Sequence, residues 1–145
     1  MKVSDPHILV EKTYTASLEN VWAALTELAQ MKEWYFDMLI AFEAHVGFKT
    51  SFSLENEGRT FTHQWEIVEV IPQKLLKYRW KYAEYPGDSY VCFSLEPKDS
   101  KTKLRLETEV IEDFPQHIPE FKRESGVAGW EYLLGESLKK YLEGK

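Results

Sequence analysis

Residues 120–142, Glu-Phe-Lys-Arg-Glu-Ser-Gly-Val-Ala-Gly-Trp-Glu-Tyr-Leu-Leu-Gly-Glu-Ser-Leu-Lys-Lys-Tyr-Leu, decide the architecture. Pro115 and Pro119 lie just before the stretch and none lies within it. Val127, Trp130, Leu133, Leu134, Leu138 and Tyr141 recur at helical spacing. The pattern predicts one helix from Glu120 to Leu142, roughly 33 Å long at 1.5 Å per residue. Gly126 and Gly129 each cost such a helix about 1 kcal/mol relative to Ala. A close backbone approach to whatever the helix covers is the expected compensation.

What it covers is read upstream. His7–Thr15, with β-branched and aromatic residues and no Gly or Pro, predicts a strand. Ser17 then caps a helix from 18 to about 28, with Leu18, Val21, Trp22 and Leu25 on one face. A second short helical piece is expected around Gln30–Tyr35. From Met38 to Ile111 the chain predicts six more strands, broken at Gly47, Asn56-Glu57-Gly58, Pro72-Gln73, Pro86-Gly87-Asp88 and 97–102. In one of them Leu76, Tyr78, Trp80 and Tyr82 alternate with Leu75, Lys77, Arg79 and Lys81, so one face is covered and the other solvated. A meander with one apolar face needs a cover, and the C-terminal helix is the only element long enough. The expectation is an α+β helix-grip domain over residues 1–145. Its curved seven-stranded antiparallel sheet wraps around the C-terminal helix, with two short helices after the first strand.

The bulk numbers agree with one domain. The 145 residues are 43% hydrophobic and 29% charged, ordinary for a globular chain. A net charge of −6 disfavours nucleic acid. Apolar runs are too short to span a bilayer, and the N-terminus lacks a signal-peptide pattern. With the single Cys92, this predicts a cytoplasmic protein without disulfides.

Four stretches carry a family likeness. Residues 15–25, Thr-Ala-Ser-Leu-Glu-Asn-Val-Trp-Ala-Ala-Leu, resemble an "APxExVWxAL" opening, with Trp34 where a tryptophan follows the short helix. Gly47-Phe48 resembles the end of a "GGxF" turn, and Glu69–Trp80 resembles "EVxPPxxLxxxW". Gly129-Trp130, followed by Leu133 and Leu138, resembles a closing "GW…L…L" helix. Together these resemble the activators of the heat-shock protein 90 ATPase, within the START and birch-pollen-allergen (SRPBCC) superfamily. The likeness implies the helix-grip fold and an internal cavity, not chaperone activity; the family name only suggests a protein partner, with Hsp90-type chaperones as one candidate. Two departures bear on cavity shape: one glycine of the pair is missing, and Trp65 stands where many relatives carry glycine.

No catalytic, metal or cofactor motif is found. His7, His45, His63 and His117 lack the i, i+4 spacing of a helical zinc site, and neither a phosphate loop nor a nucleophile elbow is present. Cys92 has no basic neighbour to activate it and is expected to be inert. Glu107 and Glu109 fall on the solvated face. Glu69 shares the parity of His63, but the adjoining Val70-Ile71 predicts a bulge that turns it outward. His63 shares a face with Phe61, Trp65 and Ile67, so it is either a polar group in a pocket or a core histidine paired with a neighbour. The candidate ligand-binding residues are Trp34, Phe52, His63, Trp65, Tyr78, Trp80, Phe93, Gly126, Gly129 and Trp130. The aromatics among them suit a wall around an apolar ligand and equally suit a filled interior. Three functions follow: binding of an apolar or aromatic small molecule, a cyclase-like enzyme in the same cavity, or a protein-interaction module.

Overall fold

The computed structural model describes residues 1–144. The first strand, β1 (Ile8–Tyr14), leads into α1 (Leu18–Thr26), where the Asn20 amide donates to Ser17 Oγ at 3.1 Å in the expected N-cap. A second helix, α2 (Leu28–Trp34), follows at once. Five strands then run in order: β2 (Lys49–Asn56), β3 (Arg59–Ile71), β4 (Leu75–Tyr82), β5 (Asp88–Lys98) and β6 (Lys101–Glu112). All pair antiparallel in the order β1-β6-β5-β4-β3-β2, which leaves β1 and β2 as edges.

Six strands form where seven were expected. The missing one lies before Gly47, over 38–46. There Leu39 and Phe42 are buried while Met38, Ile40 and Val46 are exposed. A spacing of three does not fit the two-residue period of a strand, so this stretch anchors itself by two side chains and makes no ladder. The β2–β3 hairpin closes as the sequence predicts: Glu57 and Gly58 both have positive φ (53° and 76°), the mirror-image turn that suits strand twist. Ladder register shifts between Ile67 and Glu69, and Glu69 is exposed, as the expected bulge requires.

The C-terminal helix begins later than expected. Pro119–Phe121 form a 3-10 turn, α3 spans Arg123–Tyr132, Leu133–Ser137 make a π-turn, and α4 spans Leu138–Glu143. The wide turn is held by neighbours: Tyr14 donates its hydroxyl to Leu134 O at 2.6 Å, and Ser137 Oγ donates to Trp34 O at 2.6 Å. Trp130, Leu134 and Leu138 are buried against the concave face of the sheet. Trp22 and Leu133, which the spacing puts on the apolar faces of their helices, pack only half-buried at the margin of the core, whereas Trp80 is buried.

A smaller cluster of Phe61, Phe114, Ile118 and Phe121 closes the end where α3 begins. Gly87 is obligatory there. Its φ is +121°, and a Cβ would fall 2.3 Å from the Phe114 ring.

Candidate functional site

The interior between helix and sheet has a filled half and a hollow half. Under α2 and α4, Tyr35 stacks on Trp34 (centroids 4.6 Å apart, 6° between planes) and on Trp65 (5.5 Å), and Trp65 packs on Tyr78 at 4.8 Å. Tyr35 and Tyr78 share a hydroxyl–hydroxyl hydrogen bond of 2.7 Å. Burial raises both phenol pKa values well above their ordinary range, so both stay neutral. Trp34 Nε1 donates to Ala24 O at 2.7 Å, which fixes the ring. Aromatic rings in direct contact occupy this half.

Under α3 lies a chamber of about 300 Å³. Its floor is the far end of the same strands: His63 from β3, Trp80 and Tyr82 from β4, Ser89 and Val91 from β5, Thr108 and Val110 from β6. Its roof is α3, through Gly126, Gly129 and Trp130, and Phe36 marks the boundary with the filled half. Gly126 bears out the expected close approach, since a Cβ there would lie 3.1 Å from Ile8 Cδ1. Gly129 does not: a Cβ would meet nothing within 4 Å, and the residue is exposed at the rim. That glycine leaves the wall open.

His63 is 5% exposed, stacked on Phe52 (4.7 Å, 17°) and 4.8 Å from the Tyr82 ring. Its Nδ1 lies 3.2 Å from Phe61 O. A carbonyl only accepts, so Nδ1 carries the proton and Nε2 presents a lone pair. Burial pushes the imidazole pKa down to about 4, so the ring is neutral at physiological pH and a weak base. Tyr82 OH accepts from Trp80 Nε1 at 2.8 Å, and burial raises the Tyr82 pKa to about 12. Ser89 Oγ donates to Trp80 O at 2.7 Å.

At the mouth stands Glu120. Its carboxylate takes a two-pronged contact from Arg59 (3.0 Å from Nε and 2.9 Å from a terminal nitrogen) and a 2.7 Å bond from Asn56 Nδ2. Arg59 foremost, with Asn56 assisting, lowers the Glu120 pKa. The contact ties the β2–β3 hairpin to the turn before α3.

Of the ten candidate residues, His63, Trp80, Gly126, Gly129 and Trp130 face the chamber. Trp34, Phe52, Trp65, Tyr78 and Phe93 sit in buried packing away from it. Tyr82 and Val91 were within reach of the sequence, since they share strand parity with Trp80 and Phe93. Phe36 gave no signal, because it lies in the irregular run after α2. Cys92 is half-buried on the other face, and burial raises its pKa, in keeping with an unreactive thiol. Among the described residues no three His, Cys, Asp or Glu side chains gather as metal ligands, and no helix is long and apolar enough to cross a membrane.

Residues 15–143 match the family described as Activator of Hsp90 ATPase homolog 1-like protein. The chain belongs to that family. Solved structures agree with an activator-homolog fold. A protein from Mesorhizobium loti is 26% identical with a TM-score of 0.76, covering 97% of this chain and 98% of its own. A Rhizobium loti protein reaches a TM-score of 0.82 at 18% identity, covering 94% of this chain and 96% of its own. The Aha1 dimer from Colwellia psychrerythraea scores 0.71 at 20% identity, covering 96% and 97%. No curated protein matches the chain. The arrangement is the helix-grip fold of the START and birch-pollen-allergen superfamily, with an open six-stranded sheet.

Proposed function

We propose that this activator-homolog domain binds an apolar small molecule in the chamber between α3 and the sheet. One observation carries the reading: about 300 Å³ stays empty beside a half in which aromatic rings pack directly on one another. Close packing is the norm for interiors, so a void of this size with few polar groups on its wall has the character of a binding site. Naphthalene and 2-methoxynaphthalene are suitable probes, read by thermal unfolding and by emission of the chamber tryptophans Trp80 and Trp130. The expected result is a raised melting temperature that Gly129→Leu abolishes without unfolding the protein. No shift and no change in emission with either probe overturns the reading.

A second reading rests on the surface. Met38, Ile40 and Val46 are 39%, 77% and 64% exposed on the stretch before β2, an apolar set fit to meet a protein partner. If the family name describes this chain, its partner is the Hsp90 ATPase. Purified Hsp90 would then hydrolyse ATP faster in the presence of the chain, and Ile40→Asp would remove the stimulation.

A further inference from the structure

We infer that the chamber selects an uncharged, hydroxyl-bearing molecule of about two rings over an anion of the same shape, an inference that rests on the small-molecule reading above. Size comes first. An apolar cavity of about 150 Å³ holds one benzene, and the chamber has about twice that volume.

Charge comes second. No Lys or Arg side chain lines the chamber. The carboxylate at its mouth, Glu120, is already held by Arg59 and Asn56. Met1 also lines the chamber, but its α-ammonium is bonded to Phe121 O and faces Asp5, Asp113 and Glu124. A buried carboxylate or phosphate on the ligand would lose its hydration with no cation to replace it, and burying an unpaired charge is the costliest option available.

Hydrogen bonding comes third. His63 Nε2 has no partner among the described residues, and it is not among the fully covered side-chain atoms left without one, which are Trp65 Nε1 and, on the outer face, Arg79 Nε. It therefore borders open volume, and the spaces His63 lines are the chamber and an adjoining recess that shares Tyr82 and Glu120 with it. Beside it, the Tyr82 hydroxyl accepts from Trp80 and keeps its own proton to give. An acceptor and a donor on touching rings match one functional group that both gives and takes a proton bond, a hydroxyl. A ketone or ether engages only Tyr82.

The test compares three probes on one two-ring body: 2-naphthol, 2-methoxynaphthalene and 2-naphthoate, by titration calorimetry. The inference expects 2-naphthol to bind about tenfold tighter than 2-methoxynaphthalene, as one buried hydrogen bond warrants, and 2-naphthoate to bind weakest. His63→Phe should erase the naphthol advantage and leave 2-methoxynaphthalene within about twofold, while His63→Gln, which keeps an acceptor, restores part of it. Should His63→Phe fail to fold, Tyr82→Phe serves in its place by weakening 2-naphthol and 2-methoxynaphthalene together. Naphthoate binding as tightly as naphthol, or a naphthol advantage that survives His63→Phe, overturns the selection while leaving the chamber a binding site. Failure of all three probes overturns the binding reading itself.

Discussion

The two halves of the interior are built from the same strands at the same parity, yet one is solid and the other hollow. Along β5 the inward residues run Leu95, Phe93, Val91, Ser89; along β6 they run Leu104, Leu106, Thr108. The first members are large and seal the filled half, and the later ones are small or polar and floor the chamber. A hollow therefore needs no special loop. It arises where residues shrink along β5 and β6 while the pairing from Leu95↔Leu104 to Ser89↔Val110 keeps one register.

The sharpest way to break that contrast is Trp65→Ala. Trp65 is 2% exposed and touches Phe42, Phe52 and Tyr78, so its loss should cost about 3–5 kcal/mol in urea unfolding. A loss under about 1 kcal/mol would mean the filled half is as loose as the hollow one.

Next in size is the acid limb of stability. His63 has a folded pKa of about 4 against an ordinary 6.5, so the unfolded chain binds more protons between those values. Its contribution is fully present above about pH 6.5 and is lost as pH falls toward 4, on the order of 3 kcal/mol in all. Glu84 and Glu120 carry lowered pKa values and lose their stabilisation at lower pH still. His63→Phe should flatten the curve between pH 6.5 and 4 and leave the part below pH 4 in place, as denaturation across a pH series would report.

A smaller effect tests the polar pair inside the filled half. Tyr35→Phe or Tyr78→Phe alone strands the other hydroxyl and should cost about 1–3 kcal/mol, while the double variant should cost less than the two single losses combined. The mildest change is Gly129→Ala. With nothing within 4 Å of the new Cβ, it should stabilise α3 by about 1 kcal/mol, read as a rise in melting temperature.

Much of this is legible in the sequence. Alternation on β4, the Ser17 cap, the Glu57-Gly58 turn and the bulge before Glu69 are local features, and local physics wrote them plainly. Residues 38–46 depart from the expected strand because the three-residue spacing of Leu39 and Phe42 takes its meaning only from the core that both side chains enter. The candidate site divided for a related reason. Parity tells which face a residue occupies but not how far along the strand the helix stands off. Phe93 and Val91 look alike in sequence, and only one of them reaches empty space.

The π-turn at Leu133–Ser137 sits where the two halves meet. In an uninterrupted α-helix each residue turns the stripe by about 100°, so a single deletion upstream would swing everything after it away from the sheet. A turn already one residue too wide absorbs such a change by closing to ordinary pitch. The roof of the chamber can thus lose a residue while Leu138 and the segment beyond it keep their seats in the solid half. The joint separates the part of the chain free to vary from the part that must stay fixed.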